Sequence, residues 1–241
     1  IKNAWDYYFK QPLDDKYSLE EIYQSKNVIL SSGGQIVPYP NDSMEFFSRP
    51  ELIQMWNQYF LKYVNFNERM QEEIEKKYRQ YLQDKKEERI VGIFLRGTDY
   101  LSLKPYEHPV QPSVTQAIAK TWQVMKAFDC KWVYLVTEDL AILEEFQREF
   151  ANQLIYIKEQ ERYRSLAKGE HIAEHSFQRE HDRYLKGKEC LLQMGLLMKC
   201  NCLIGGRTSG SVATMVMQPH YDYTYFWNLG RYGMDDILEE V

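Results

Sequence analysis

The sequence lacks several patterns that mark common classes of protein. No apolar run approaches the ~20 residues that a helix needs to span a bilayer, and no secretory signal pattern is present. The four cysteines form no CxxC pair, so we expect reduced thiols in a cytoplasmic protein and no structural zinc site. The net charge is −5 and no basic run lies on an aromatic background, which argues against nucleic acid or anionic membrane as partners.

One short apolar stretch, from Ile90 to Leu95, has the composition of a strand that is buried on both faces. Its β-branched residues follow a charged run and lead directly to Arg96 and Gly97. Strands of this kind belong to parallel sheets that carry helices on both sides. With 241 residues, of which 44% are hydrophobic, the chain can bury such a core as one large domain or two small ones.

The sequence before this strand predicts helices. Apolar side chains recur at every fourth position over residues 50–85, and Asn65-Phe-Asn67 interrupts the pattern, so we expect two helices in a hairpin. Ser18 to Glu21 reads as a capping box that begins a short helix, and Gly33-Gly34 reads as a plain turn. We therefore expect a mostly helical N-terminal segment over residues 1–88.

Strands and helices alternate after residue 89. Further strands are predicted at 132–136, 154–157, 202–204 and 223–227, and helices at 113–128, 140–150, 184–199 and 209–217. Residues 101–112 are predicted to form a loop, whereas the charged stretch 159–182 fits neither pattern. Repeated βαβ units imply a parallel sheet with helices on both faces. The expected fold class is therefore α/β, with a Rossmann-like domain over residues 89–241.

Three predicted strand ends carry polar residues that suit an anionic ligand. Arg96 follows the first strand, Glu138 and Asp139 follow the second, and a glycine-rich stretch follows the fourth. Open α/β sheets bind ligands at the carboxyl ends of strands, where arginine grips phosphate oxygens and a helix N-terminus attracts anions. A surface arginine, a helix N-cap and an ordinary βα turn are the open alternatives. The candidate ligand residues of the last stretch are Gly206, Arg207, Thr208, Ser209 and Ser211.

The stretch His171-Ile-Ala-Glu174-His175 matches the H-x-x-E-H pattern of one class of zinc hydrolase. Two histidines four residues apart share one face of a helix and could hold a metal, with Glu174 as the base. Dense charge surrounds the segment, and it has no clear apolar face. A zinc hydrolase is therefore the less favoured alternative, and no metal site is predicted.

Taken in order, these motifs resemble those of the fucosyltransferase superfamily, which contains α1,6-, α1,2- and protein O-fucosyltransferases of the two-domain GT-B plan. The first family motif is a strand that ends in arginine and aspartate, and the last is a strand followed by serines and a helix. The resemblance covers residues 89–228, in matching order and spacing. The matching segments are Ile93 to Asp99, His108-Pro109, Val133 to Asp139 and Asn201 to Ser209.

The resemblance implies a GT-B C-terminal-type domain that binds a nucleotide-sugar donor, with GDP-fucose as the leading donor and a glycan as acceptor. The implied enzyme is metal-independent, inverting and without a cofactor, and we expect it to act in polysaccharide biosynthesis in the cytoplasm. Arg96 would bind the diphosphate, Thr208 and Ser209 would cap it, and Glu138-Asp139 would lie near the sugar or base. Gly97 and His108 complete the expected substrate-binding set.

For the general base we expect Asp99, the carboxylate nearest to Arg96, with Glu107 as the alternative. Lys104 is a poor base because it is cationic unless it is buried. It stands where the α1,6 enzymes have a glutamate thought to serve as base. The base is thus the least determined part of the expected site.

Other positions also depart from the family pattern. Phe94 replaces a histidine, Gly97 replaces a second arginine, and Gln193 stands where an aspartate usually reads guanine. Another nucleotide sugar, or a non-catalytic nucleotide- or sugar-binding protein of the same fold, therefore stays an alternative. The matching region is the donor half, so we expect the natural protein to be longer, with residues 1–88 as a remnant of an acceptor domain. The sequence does not indicate the oligomeric state.

Overall fold

A sheet of five parallel strands forms the centre of the computed structural model, which describes residues 4–12, 18–26, 45–164, 172 and 174–234. The order of the strands is β3-β2-β1-β4-β5, so the first strand of the chain lies in the middle. The predicted α/β, Rossmann-like fold is confirmed. The strands are β1 (Arg89–Leu95), β2 (Cys130–Thr137), β3 (Leu154–Ile155), β4 (Cys202–Gly206) and β5 (Tyr223–Trp227).

Three helices in the described part of the chain begin at caps that the sequence predicts or that a polar side chain supplies. Ser18 and Ser113 each form a complete capping box, and Asn67 accepts a hydrogen bond from the Met70 amide. The helices are α1 (Leu19–Gln24), α2 (Glu45–Ser48), α3 (Pro50–Tyr63), α4 (Glu68–Tyr81), α5 (Thr98–Leu103), α6 (Val114–Ala127), α7 (Leu140–Phe150), α8 (Asp182–Leu197) and α9 (Ser209–Met217).

The sheet separates two clusters of buried side chains, and β1 contributes to both by alternation. Ile90 and Phe94 lie in one cluster, together with side chains of α3, α4, α8 and α9. Val91, Ile93 and Leu95 lie in the other, with side chains of α6 and α7. Because both faces of the strand are covered, nearly every position of β1 is apolar, as the sequence pattern indicated.

The helical hairpin that precedes the sheet packs into the first of these clusters. Leu52 and Ile53 of α3 and Met70 of α4 are buried there with the side chains of β1. Helix α3 contacts α9, and helix α4 contacts α8. The hairpin predicted over residues 50–85 is therefore present, whereas a domain boundary at residue 88 stays a prediction.

Two elements differ from the predicted ones. The expected loop after β1 begins with α5, which ends at Leu103. Its C-cap Lys104 lies in the left-handed region, with a φ of 46°, immediately before Pro105. Strand β3 is shorter than expected and covers only Leu154–Ile155, and the Ile157 carbonyl beyond it accepts a hydrogen bond of 3.0 Å from Arg162 Nη2. Gly33-Gly34 lies outside the described residues.

Two predictions that rest on composition, on the cysteines and on membrane spans, can be compared with the structure. All four cysteines are free thiols. No helix in the described part of the chain has both the length and the apolar character needed to cross a membrane.

Candidate functional site

The strand order places a crevice between the carboxyl ends of β1 and β4. From β1 the chain continues to β2 and β3 on one side of the sheet, and then crosses to β4 and β5 on the other side. Such a reversal opens the crevice in which doubly wound α/β proteins bind ligands. The three predicted strand ends are therefore neighbours, because β1 pairs with both β2 and β4.

Arg96 leaves the end of β1 with its guanidinium between two carboxylates. Its Nη2 lies 3.0 Å from Asp99 Oδ1, and its Nε lies 3.1 Å from Glu138 Oε1, an ion pair without the alignment of a hydrogen bond. Its Cζ also lies 4.9 Å from the centre of the Tyr100 ring. Burial lowers the pKa of Arg96, but the charges of Glu138 and Asp99 outweigh burial and raise it. Among the described contacts, Nη1 is the guanidinium nitrogen left for a ligand.

Glu138 connects the ends of β1 and β2. Its Oε1 accepts a hydrogen bond of 3.0 Å from the Gly97 amide, in addition to its ion pair with Arg96. Burial raises the pKa of Glu138, although Arg96 and the Gly97 amide act in the opposite direction. Glu138 thus fixes the backbone and the guanidinium that follow β1.

Both carboxylate oxygens of Asp99 already accept bonds from the protein. Oδ1 pairs with Arg96 and accepts from the Tyr100 amide at 3.0 Å, and Oδ2 accepts from the Ile172 amide at 3.4 Å. The residue is only 7% exposed. This environment suits an anion that orients Arg96, whereas a general base needs an oxygen that an acceptor hydroxyl can reach.

Asp139 begins helix α7. Its Oδ1 accepts hydrogen bonds from the Ala141 amide at 2.8 Å and the Ile142 amide at 3.2 Å. The N-cap alternative for this residue therefore matches the structure. Gly97 packs against it, because a Cβ at Gly97 would lie 2.7 Å from the Asp139 Cβ.

The glycine pair at the end of β4 lets other parts of the chain come close. A Cβ at Gly205 would lie 2.5 Å from the Phe94 carbonyl oxygen, and a Cβ at Gly206 would lie 2.9 Å from Gln111 Cδ. No sequence signal pointed to Gln111, which is buried and donates to the Pro109 carbonyl at 3.1 Å. These glycines therefore serve close packing in this structure, as in an ordinary βα turn.

Helix α9 starts at the same edge. Thr208 caps it by accepting a hydrogen bond of 3.2 Å from the Ser211 amide, and the Ser211 hydroxyl donates to the Gly206 carbonyl at 2.7 Å. Arg207 lies 5.4 Å from the centre of the Phe47 ring. Ser209, in contrast, is exposed at the first helical position. Of these candidate residues, Ser209 is best placed to meet an anion, with the partial positive charge of the helix N-terminus.

The loop that follows α5 crosses the carboxyl edge from β1 toward the residues after β5. The Glu107 amide donates to the Tyr232 carbonyl at 3.0 Å, and the Val110 amide donates to the Gly230 carbonyl at 2.9 Å. The Tyr232 amide returns a bond of 2.9 Å to the His108 carbonyl. We call residues 104–112 the clamped loop. It holds the His108 ring 5.3 Å from the Tyr100 ring.

A second charged group, which sequence reasoning missed, lies before and within α8. Arg179 binds both carboxylate oxygens of Glu189, at 2.5 and 3.0 Å, and Asp182 at 2.6 Å. Lys186 donates to the carbonyls of His175 and Ile172. These contacts hold the backbone that donates to Asp99. The charged composition of residues 159–182 was the available signal, but it did not indicate which residues pair.

The structure gives no support to a metal centre in the region that it describes. No group of three or more histidine, cysteine, aspartate or glutamate side chains there could hold a metal ion. His171 lies outside the described residues, Glu174 is exposed, and the His175 ring packs edge-on against Tyr163 at 5.1 Å. The H-x-x-E-H alternative, which includes His171, is therefore not tested.

Comparison with known proteins gives likenesses among solved structures. No protein-family model and no curated protein matches the chain. POFUT1 in complex with GDP has a TM-score of 0.48 and 9% identity, over 82% of this chain and 54% of that chain. The NodZ α-1,6-fucosyltransferase soaked with GDP-fucose has a TM-score of 0.42 and 14% identity, over 76% and 63%. Fucosyltransferase NodZ from Bradyrhizobium has a TM-score of 0.41 and 12% identity, over 74% and 60%.

This chain therefore spans between half and two thirds of the length of those proteins. The NodZ structures are those of a fucosyltransferase, and these proteins are what the chain is similar to. The fold class itself is established by the order and direction of the chain's own strands.

Proposed function

We propose that this chain is the donor-binding half of a glycosyltransferase that transfers a sugar from a nucleoside diphosphate sugar to a glycan, with GDP-fucose as the leading donor. One observation carries the proposal. The guanidinium of Arg96 is fixed at the crevice between the ends of β1 and β4, and α9 begins directly after β4. The ordered sequence motifs, which resemble the fucosyltransferase superfamily, point to the same chemistry.

The charges at the crevice differ between its two sides and indicate how a nucleotide sugar would lie. Hydrogen-bond donors are found toward β4, where Arg207 precedes α9 and Ser209 begins it. Acidic groups are found toward β2, where Glu138 and Asp139 follow the strand. A diphosphate is favoured on the β4 side, and the uncharged sugar on the β2 side, where the carboxylates would repel an anion.

In this arrangement Arg96 stabilises the charge that develops on the leaving diphosphate. The bond between the sugar C1 and the phosphate oxygen breaks, and the electron pair stays on the nucleoside diphosphate. A preorganised guanidinium and the N–H groups of a helix N-terminus stabilise such charge without reorganisation during the reaction. The proposed mechanism is inverting and uses no metal.

The base of the nucleotide is the open part of the proposal. Gln193 is buried, and its Nε2 donates to Gln160 Oε1, so the amide is already engaged within the protein. An amide also differs from a carboxylate in offering one acceptor and one donor group. GDP is therefore tested beside UDP, dTDP, ADP and CMP.

Calorimetric titration with these five nucleotides tests the proposal, and Arg96→Lys is the informative variant. Lysine keeps a positive charge for Asp99 and Glu138, whereas alanine would remove the cation that pairs with these two largely buried acids. Loss of the charge-assisted hydrogen bond that Nη1 would donate to a phosphate oxygen, worth about 1.5–3 kcal/mol, predicts a roughly 10- to 150-fold weaker affinity. Arg89→Lys is the matched control, because Arg89 begins the same strand at the opposite edge.

Two results would contradict the proposal. One is a wild-type protein that binds none of the five nucleotides. The other is an affinity that Arg96→Lys leaves within twofold of the wild-type value. A non-catalytic nucleotide-binding protein is the second candidate, favoured by the occupied carboxylate of Asp99. Release of free or transferred sugar from the donor separates the two candidates.

A further inference from the structure

An inverting transfer needs a group that takes the proton of the attacking hydroxyl. Asp99, the carboxylate nearest to Arg96 in the chain, has both oxygens bonded to Arg96 and to the amides of Tyr100 and Ile172. Its burial also keeps it away from an acceptor that arrives from solvent. The base must therefore come from another side chain that reaches the crevice.

His108 meets the geometric requirements that Asp99 does not. It is exposed on the clamped loop, and its ring contacts the Tyr100 ring edge-on at 5.3 Å. The Tyr100 ring in turn lies 4.9 Å from the Arg96 guanidinium carbon. Only one aromatic ring thus separates the imidazole from the guanidinium that would hold the diphosphate.

The backbone around His108 is fixed, although the side chain is exposed. Its amide donates to the Pro105 carbonyl at 3.1 Å, and its carbonyl accepts from the Tyr232 amide at 2.9 Å. Lys104 and Glu107 both have positive φ, at 46° and 65°, a conformation that non-glycine residues keep only where the surroundings enforce it. The backbone that carries the imidazole is therefore held in a defined position, with the ring against Tyr100.

We infer that His108 is the general base of the proposed transferase, and this inference rests on the proposed function. The imidazole nitrogen takes the proton of the acceptor hydroxyl as the acceptor oxygen forms its bond to the sugar C1. The bond from C1 to the phosphate oxygen breaks at the same time, and its electron pair leaves with the nucleoside diphosphate held by Arg96. Histidine suits this role because imidazole changes charge near neutral pH.

The other titratable groups near the loop are less suitable. Glu107 is exposed, but no contact of its side chain with Arg96 or Tyr100 is seen among the described residues. Lys104 is a cation on the same loop. The elements that pack against the imidazole carry Arg96, Asp99 and Tyr100. The segment that clamps the loop carries Arg231 and Tyr232.

The test is the release of fucose from GDP-fucose by the full chain, with water as acceptor, so that no glycan has to be known. His108→Gln should lower kcat by about 100-fold or more, within the range for loss of a general base, and leave the Kd for GDP within twofold. If an imidazole is the base, the rate of the wild type should increase with pH as the ring loses its proton, and this increase should disappear in the variant. His220→Gln is the matched control, because His220 is also exposed but lies at the opposite edge of the sheet.

Chemical rescue gives an independent readout. Added imidazole should restore part of the rate of His108→Ala and have no effect on His220→Ala. A kcat unchanged in His108→Gln, a pH dependence that persists, or a Kd for GDP that weakens in parallel with kcat would each overturn the inference.

The failures of the inference and of the proposed function are distinguishable. A wild-type protein that binds no nucleotide overturns both. One that binds nucleotide but releases no sugar overturns the inference and supports the non-catalytic alternative. If fucose is released at the wild-type rate by His108→Gln, only the assignment of the base is wrong.

Discussion

Gly97 occupies a position where no larger residue fits, although the family motif that it resembles has an arginine there. A Cβ would lie 2.7 Å from both Cβ and Cγ of Asp139. Asp139 cannot move away without losing its hydrogen bonds to the first turn of α7. In this structure the close contact with Asp139 therefore requires glycine at position 97.

We expect Gly97→Ala to lower the free energy of unfolding by about 1–3 kcal/mol, as overpacking typically does. Replacing Asp139 by serine keeps a capping oxygen and shortens the side chain. In the Asp139→Ser background the cost of Gly97→Ala should therefore fall. Denaturant unfolding of the two single variants and the double variant measures this coupling, and strictly additive costs would contradict the explanation.

At the same scale, Arg96 takes the place of a metal ion in the proposed chemistry. Sugar release from GDP-fucose should continue at an unchanged rate in excess EDTA and should not rise with added Mn²⁺. The physical reason is that the charge of the leaving diphosphate is met by a guanidinium and a helix N-terminus. A rate that EDTA abolishes and Mn²⁺ restores would contradict the arginine-based mechanism.

The sequence indicated where Arg96 lies but not what it contacts. Its position follows from the apolar run that ends at Leu95, because a buried strand must end where charge begins. Its pairing with Glu138 depends on which strand lies next to β1, and its pairing with Asp99 depends on the unpredicted turn of α5. Gln111 was missed because its contact with Gly206 joins a loop and a strand end that no periodic pattern connects.

At the scale of elements, Glu159 connects the segment after β3 to helix α4. It accepts hydrogen bonds from Tyr81 Oη at 2.7 Å and Gln80 Nε2 at 2.9 Å, and its Oε2 lies 3.0 Å from Lys77 Nζ. Burial would raise the pKa of Glu159, but these partners lower it from 4.5 to about 2. The charged form of Glu159 is therefore the one that the fold stabilises.

This contribution to stability should depend on pH in one direction. Because the pKa is lower in the folded state, the contribution is complete above pH 4.5 and is lost as the pH falls toward 2. The side chain is 52% exposed, so solvent screening limits the effect of Glu159→Gln to about 1 kcal/mol or less at pH 7.

Urea unfolding at pH 7 and at pH 3 measures this difference, with Glu161→Gln as a control two residues away. The gap between wild type and Glu159→Gln should narrow at pH 3. A gap of equal size at both pH values would contradict the role of the charge.

Most elements were predicted because each signal is local. Helix α7 begins and ends at the expected residues, since an N-cap, an apolar face and a following turn all lie within its own sequence. Strand β3 pairs with β2 only at Leu154 and Ile155, and the Ile157 carbonyl beyond it accepts a hydrogen bond from Arg162, a residue outside the strand. A hydrogen bond from a side chain to a backbone group earlier in the chain leaves no periodic signal in the sequence.

At the scale of the whole molecule, the N-terminal helices complete the core of the sheet. Phe46, Leu52, Ile53, Met70 and Leu82 are buried in the cluster that covers one face of β1. A fragment of residues 89–241 should therefore expose that face, bind a hydrophobic dye and lose cooperative unfolding. Thermal unfolding of the fragment beside the full chain provides the measurement.

Residues 1–88 would count as a separate domain if the fragment unfolded cooperatively and kept its nucleotide affinity. That outcome would match the boundary expected from the sequence. The buried positions of α3 and α4 predict the opposite result.

The central place of β1 also has a consequence for synthesis on the ribosome. Phe94 pairs with Gly205, which is translated about 110 residues later. At ordinary rates of translation, this interval lasts roughly 5–20 s. Until β4 is made, one edge of β1 stays unpaired, and the side chains of α8 and α9 are missing from the apolar cluster that they complete. We therefore expect the nascent chain to bind chaperones during this interval, because unpaired strand edges and exposed apolar surface are prone to aggregate.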